Sequence, residues 1–240
     1  MNLLRIFGKL QASLAIMRGK SKPSFSQAGE DQVIRFLLND FLKIEKITYL
    51  DIGTNHPLFG NNTFYFYSRG AQGVCVEPDT RYAGLIKKYR KRDVFLQAGM
   101  STGNETTADF YIFPRKYSGW NTMLKEEAEQ RQAETGIAFQ RVETPLVKIN
   151  DVIRQHFATW PTIISIDVEG LDLAILQSLD FDRYKPEIIC VESLTFSETN
   201  EHAKINGISD FILSKGYFTF ADTFVNTIFC RKEAFKKPAP

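Results

Sequence analysis

The sequence predicts an α/β domain on a mostly parallel, seven-stranded sheet that ends in an antiparallel hairpin. Three observations carry this expectation. Residues 47–79, ITYLDIGTNHPLFGNNTFYFYSRGAQGVCVEPD, read as strand, tight loop, helix and strand, a βαβ unit whose crossover is right-handed. Two later apolar runs, residues 162–166 and 187–191, each stop at an acid and read as strands of the same sheet. Residues 217–221 and 227–231 are apolar and lie five residues apart, the spacing of a hairpin. At 240 residues, with 43% hydrophobic and 13% aromatic side chains, the chain fits one such domain with a small appendage.

In a βαβ unit the ligand lies outside the carboxyl ends of the strands. Asp51 and Gly53 end the first strand, and Glu77 and Pro78 follow the second. Glycine lets the backbone turn tightly and approach a ligand. A carboxylate at the end of the second strand can accept both hydroxyl hydrogens of a ribose. Phosphate recognition is missing: a dinucleotide fingerprint needs G-x-G-x-x-G, and here Gly53 and Gly60 stand too far apart. Ribose recognition without a pyrophosphate cradle suits S-adenosylmethionine (SAM) better than NAD. A helix-joining turn in some other α/β domain is the purely structural alternative.

The rest of the chain is taken in order. Residues 1–22 carry Arg5, Lys9, Arg18, Lys20 and Lys22 and no acid, with Leu3, Leu4, Phe7, Leu10, Leu14 and Met17 at helical spacing. This predicts a basic amphipathic segment over residues 1–24 that packs on the domain, frays, or touches an anionic membrane as a peripheral contact. No uninterrupted apolar stretch follows its basic residues, so it does not read as a secretory signal. Residues 25–31, FSQAGED, lead into an apolar helix over 33–42. Ser26 with Gly29 and Glu30 resembles a capping arrangement, and Gln27 and Glu30 are alternatively candidates to cover a ligand's polar end.

After Glu77 come a basic helix over 81–90, a third strand over 94–98 and then Gly99-Met100-Ser101. Residues 108–113 read as an extra strand, 114–123 as a loop, and 125–133 as a charged helix whose acids and bases face solvent. Residues 144–149 read as an edge strand leading into a helix over 150–157. Asp167-Val168-Glu169-Gly170 follows the strand over 162–166 and opens a helix over 171–179, and Glu192-Ser193 follows 187–191. Capping is the plain role for Asp167. Four carboxylates on one sheet edge exceed what capping requires, and clustered acids are candidate site residues. The chain closes with a helix over 208–215, the hairpin, and a disordered tail over 236–240.

Thirty basic and twenty-eight acidic residues leave a net charge of +2, which gives no reason to expect a nucleic-acid partner. Cys75, Cys190 and Cys230 sit singly in apolar runs, as buried reduced thiols of a cytoplasmic protein do. No internal repeat and no apolar run long enough to span a membrane is present.

The sequence resembles the FkbM family of SAM-dependent methyltransferases. FSQAGED (25–31), YLDIGTNHP (49–57), NNTFYFY (61–67), CVEPD (75–79), SIDVEGLDLAIL (165–176) and IICVES (188–193) occur in the family's order over residues 25–235. The resemblance implies a Rossmann-like class I methyltransferase fold, whose seventh strand inserts antiparallel beside the fifth, and O-methylation of a hydroxyl, commonly on a sugar, glycan or polyketide. It implies that Asp51 and Gly53 border the methionine and ribose, that Glu77 holds the ribose hydroxyls, that Met100 and Ser101 flank adenine, and that Asp167 faces the sulfonium. Gln27, Glu30 and Asn62 would serve the methionine carboxylate or the acceptor. The DIGTNHP turn departs from the more glycine-rich turn of many members.

Methyl transfer to an alcohol is an in-line displacement at carbon, so the protein must align the acceptor and remove its proton. Asp167, Glu169, Glu192 and His56 are the base candidates. A carboxylate near its ordinary pKa is a weak base for an alcohol and needs burial or a metal. Asp167 and Glu192 stand where Mg²⁺-dependent O-methyltransferases hold their ion, with Ser193 a poorer third ligand, so Mg²⁺ enters as an optional second cofactor. The acceptor is expected to be a glycan or small molecule contacted by residues 111–143. Alternatives are a methyltransferase on another small molecule or polyketide, a dinucleotide-dependent oxidoreductase, and a SAM-binding protein that no longer catalyses.

Overall fold

A computed structural model describes residues 22–194 and 206–236, together with Gln11, Ser13, Leu14 and Arg18. The expected amphipathic helix over 1–22 lies mostly outside the described residues, and the tail over 236–240 almost wholly so. The elements run α1 (Glu30–Phe36, prolonged by a π-helical turn, Leu37–Leu42), β1 (Thr48–Ile52), α2 (Phe64–Ser68), β2 (Gln72–Val76), α3 (Thr80–Tyr89), β3 (Val94–Leu96), β4 (Gly99–Ser101) and β5 (Thr107–Ile112). There follow α4 (Lys125–Thr135), β6 (Gln140–Lys148), α5 (Ile149–His156), β7 (Ile163–Ile166), α6 (Asp172–Ser178), β8 (Ile188–Glu192), α7 (Asn206–Ser214), the hairpin β9 (Tyr217–Asp222) and β10 (Asn226–Arg231), and α8 (Lys232–Phe235).

The main sheet has seven strands in the order β3-β2-β1-β7-β8-β10-β9. All pairs are parallel except those of β10, which runs antiparallel to both β8 and β9. This is the expected Rossmann-like architecture, and its hairpin inserts the last strand beside β8. The central strands are apolar along their whole length because both faces are covered. On one face Leu50, Val74 and Ile164 pack with Ile153 of α5, Ile175 of α6 and Ile212 of α7. On the other, Tyr49, Ile163 and Ile228 pack with Ile34 and Leu37 of the first helix and Phe66 of α2. Cys75, Cys190 and Cys230 are buried and free. Among the described residues no helix is long and apolar enough to cross a membrane.

Three local expectations are corrected. The strand over 94–98 breaks: β3 stays in the main sheet, while β4 leaves it and pairs with β6. The expected edge strand over 144–149 is β6, which starts at Gln140 and forms the centre of a separate three-stranded sheet, β4-β6-β5. Its mostly exposed side chains hold no place in a sheet covered on both faces, so it pairs with β5 from Thr107↔Pro145 to Ile112↔Gln140. At the start of α1 the N-cap is Gly29 at φ 95°, without a side-chain cap. Asp31 closes the turn from inside the helix, accepting from the Phe25 amide at 2.7 Å and the Ser24 hydroxyl at 2.7 Å.

One buried polar network ties these parts together. Arg90, 1% exposed at the end of α3, donates to Asp93 at 2.7 Å, to the Thr63 hydroxyl at 2.8 Å and to Asn61 at 3.2 Å. Its guanidinium lies 5.2 Å from the Tyr49 ring centre and 5.1 Å from that of Tyr67. Asp93 also accepts from the Tyr49 hydroxyl at 2.7 Å and the Gly73 amide at 2.9 Å. Breaking a buried ion pair from one side strands the other charge. Arg90→Leu is therefore expected to cost about 3–5 kcal/mol. Urea unfolding should show this as a large drop in midpoint, whereas Asp93→Asn, which keeps an acceptor, should lose less.

Candidate active site

The strand register assembles the site. Ile52 stands opposite Val76 on one side and Ile166 on the other, and Ile166 opposite Val191. The next residues, Gly53, Glu77, Asp167 and Glu192, therefore form one row along the carboxyl edge. The Gly53 amide donates to the Val76 carbonyl at 3.0 Å, and the Asp167 amide to the Ile52 carbonyl at 3.0 Å. Gly53 has φ 80°, and a Cβ there would stand 1.8 Å from the Asp167 carbonyl oxygen. Only glycine allows β1 and β7 to turn away so close together.

Above this row opens a cavity of about 370 Å³. Its wall includes Gln27, Gly53, Glu77, Pro78, Met100 and the acids Asp167, Glu169 and Glu192, all expected from the sequence. Glu77 is 5% exposed and accepts from the Asn55 amide at 2.7 Å and the Asp79 amide at 2.8 Å. Burial pushes its pKa up to about 7, against the pull of those two amides.

Asp167, Glu169 and Glu192 offer carboxylate oxygens that all lie within 4.8 Å of one another. They open onto the cavity but are enclosed by protein on their other sides. Burial, then the neighbouring acids, pushes the pKa of Asp167 and of Glu192 above the carboxylate range. Burial also raises Glu169, while Arg131 opposes the rise. Such a cluster holds protons at neutral pH or takes a cation.

The structure does not bring five other expected residues to the cavity wall. Asp51 is 3% exposed and turned into the Arg90 network, accepting from Asn61 at 3.0 Å and Thr63 at 2.8 Å. Asn62 lies beneath the floor, donating to the Ser165 hydroxyl at 3.2 Å. Ser101 is buried beside Met100 and accepts from the Gly103 amide. Glu30 accepts from the Thr223 hydroxyl at 2.7 Å and from Asn226 at 3.1 Å, joining α1 to the hairpin turn. His56 stacks on Phe59, and its Nδ1 accepts from the Leu58 and Phe59 amides, both at 3.2 Å. Burial, then Arg115, lowers its pKa. Ser193, weighed as a third metal ligand, bonds Thr227 at 2.8 Å instead, and Glu169 completes the carboxylate trio.

The helix cap assigned as the plain role of Asp167 belongs elsewhere. Asp172 reaches back to accept from the Val168 amide at 3.3 Å and the Gly170 amide at 3.2 Å. Glu169 adopts φ 56°, left-handed backbone, and Gly170 follows at φ 111°. The side chain of Thr122 donates to the Glu169 carbonyl at 2.9 Å and helps hold this turn.

The second wall falls within residues 111–143, the stretch expected to contact the acceptor, but none of its residues was singled out from the sequence. The segment before α4 contributes Ser118, Trp120, Asn121 and Met123 to the cavity. Asn121 donates to Asp79 at 3.0 Å, and Tyr82 donates to the Ser118 hydroxyl at 2.6 Å, so the segment is moored to α3. Arg131 of α4 was expected to face solvent but is 1% exposed. It donates to the Trp120 carbonyl at 2.6 Å and to Glu169 at 2.9 Å, joining the second wall to the acid cluster. The only sequence signal for it was an arginine three residues after an alanine that also faces inward, Ala128. The close approach at Gly53 gives a direct test of the site's construction. Gly53→Ala should lose at least about 2 kcal/mol of stability, from left-handed strain plus backbone overlap. Chemical denaturation measures this, and an unchanged midpoint would show that the two strand ends are free to part.

No curated protein is significantly similar to the chain. Among solved structures, an O-methyltransferase from Bacillus cereus in complex with SAH aligns at a TM-score of 0.40 and 12% identity, over 92% of this chain and 88% of that one. The methyltransferase FkbM domain matches residues 51–219, from the acid of β1 to the first strand of the closing hairpin, and the chain belongs to this methyltransferase family.

Proposed function

We propose that this methyltransferase uses SAM to methylate a hydroxyl group, on a sugar or glycan. The observation that carries the reading is the row Gly53, Glu77, Asp167 and Glu192 beneath one cavity, with a ribose-type acceptor at Glu77 and an acid cluster beside it. SAM supplies an electrophilic methyl on a sulfonium. Glu77, fixed by two backbone amides, would accept from the ribose hydroxyls, and Met100 and Pro78 would give apolar contact to the base. Asp167 and its neighbours face the other end. There they favour a positive charge and offer a base whose raised pKa brings it nearer to an alcohol's proton than an ordinary carboxylate. Holding the two reactants at near-attack distance can contribute about 7–11 kcal/mol. Trp120, stacked on Tyr117 at 4.5 Å, and the exposed ring of Phe59 border the cavity, and aromatic faces there suit the apolar face of a pyranose.

A second reading concerns a metal. Asp167, Glu169 and Glu192 form an all-oxygen donor set that fits a hard cation such as Mg²⁺. Held there, the ion would acidify the acceptor hydroxyl. Arg131 already neutralises part of Glu169, which limits what a cation would gain.

Asp167→Asn separates these roles. With Asp172 supplying the turn's hydrogen bonds, the variant should stay folded within about 1 kcal/mol of the parent. Methyl transfer should fall about 100-fold or more. Chelation by EDTA that abolishes parent turnover points to a metal ligand, and indifference to EDTA points to a base or sulfonium contact. Near-normal turnover by the variant removes Asp167 from the chemistry.

Glu77 adds a pH signature. Hydroxyl donors favour its ionised form, whereas the free protein begins to protonate it as pH falls through about 7. SAM should therefore bind more weakly below that pH, by up to about tenfold per unit, with a proton released on binding. Calorimetry in buffers of different ionisation heat reads both effects. Glu77→Gln should flatten the dependence, and a parent affinity that ignores pH would take the carboxylate off the ribose.

A further inference from the structure

A second groove lies far from the acid cluster. Ile47 and Gln72 line it at the amino-terminal ends of β1 and β2, whereas the cavity occupies their carboxyl ends. It encloses about 740 Å³. Its charge is one-sided: Lys22, Arg35, Lys43, Lys46 and Arg69 border it against the single acid Glu45. None of these five cations joins an ion pair among the described residues. Arg35 is held by Gln32 at 3.1 Å and Arg69 lies 5.5 Å from the Tyr65 ring centre, both neutral partners. Five cations without an ion-pair partner among the described residues give this face a local positive potential that the net charge of +2 does not suggest, and an anionic surface complements it.

Two further observations say what kind of anion. The helical element that carries Arg35 and is capped by Lys43 also presents Phe36 and Phe41, each 45% exposed, with ring centres 5.3 Å apart. Phe235, 38% exposed, stacks on Phe41 at 5.4 Å. Exposed aromatic rings on the element whose Arg35 borders the groove match the chemistry of a lipid headgroup layer, apolar below and anionic above. Lys22, which borders the groove, ends a stretch of sequence, residues 1–22, that is basic and acid-free. Cations spread along a groove fit an extended surface better than one small anion, which convergent donors would grip.

The geometry points to docking of this face on an anionic lipid surface. The cations meet headgroup phosphates and carboxylates, and Phe36 and Phe41 sit at headgroup level. The cavity, at the opposite ends of the strands, stays open to water. This holds whatever acceptor the cavity takes.

The test uses the full chain with vesicles of phosphatidylserine in phosphatidylcholine, against phosphatidylcholine alone. The parent should sediment with the anionic vesicles only, and less as salt rises. The triple variant Lys43→Asn, Lys46→Gln and Arg69→Gln should bind roughly 100-fold more weakly. Asn suits the left-handed backbone of Lys43, φ 53°, so the unfolding midpoint should hold. Phe36→Ser with Phe41→Ser should also weaken binding without changing its preference for anionic vesicles. Three results overturn the proposal. They are a parent that ignores anionic vesicles, a triple variant that binds as the parent does, and inorganic phosphate binding at the groove without vesicle association.

Discussion

The construction depends on how closely β1 and β7 approach where they leave the sheet. The Asp167 carbonyl occupies the space that a side chain at Gly53 would need. Because the strands are parallel and in register, this one contact fixes the height at which Glu77 and Glu192 emerge as well. Four separate sequence segments thus deliver their polar ends to a single line. Hydrogen bonds from the Gly53 and Asp167 amides to neighbouring strand carbonyls keep that line rigid. A site assembled on strand ends inherits the sheet's precision, which a loop could not supply.

Around this line the chain keeps two kinds of buried charge apart. The Arg90 network pairs Arg90 with Asp93 and satisfies its polar groups with hydroxyls, amides and ring faces, so it serves as structure. Asp51 belongs to it through Asn61 and Thr63. The cluster of Asp167, Glu169 and Glu192 is underpaired, with the one cation Arg131, ion-paired to Glu169, set against three acids. Buried like charges without enough partners store electrostatic free energy that a proton, a metal ion or a cationic ligand can release. That asymmetry distinguishes an acid that supports the fold from one available for chemistry.

The accessory sheet explains why the cavity is a cavity. The main sheet alone leaves an open edge. The segment that β5 and β6 flank, anchored through Asn121, Ser118 and Arg131, turns that edge into an enclosed space with an aromatic border. Enclosure lowers the local dielectric and strengthens the interactions of the acid cluster below. The helix that looks charged all round is in fact the clamp between the two walls.

Local pattern and strand termini were enough to read the parallel sheet, the hairpin, the row Gly53, Glu77, Asp167 and Glu192, and the turn glycines. Apolar runs, their periods and the residues that end them are properties of neighbours in the chain. Which acids face the cavity depended on tertiary packing. Asp51 and Glu30 look like site carboxylates in sequence but found hydrogen-bond partners 10 and 193 residues away, in Asn61 and Thr223. His56 spent its ring nitrogen on the backbone amides of its own turn. The stretch that forms the second wall was expected to contact the acceptor, but Arg131 and the wall's own residues were hidden for the converse reason: β6 pairs with β5 and β4 rather than with the main sheet, and no local period records which sheet a mostly exposed strand will join. Sequence by itself determined the scaffold and the strand-end residues, because those follow from local chemistry. Only the tertiary structure decided which charges are satisfied and which are left facing the cavity, because a charge is paired by whatever the fold brings beside it.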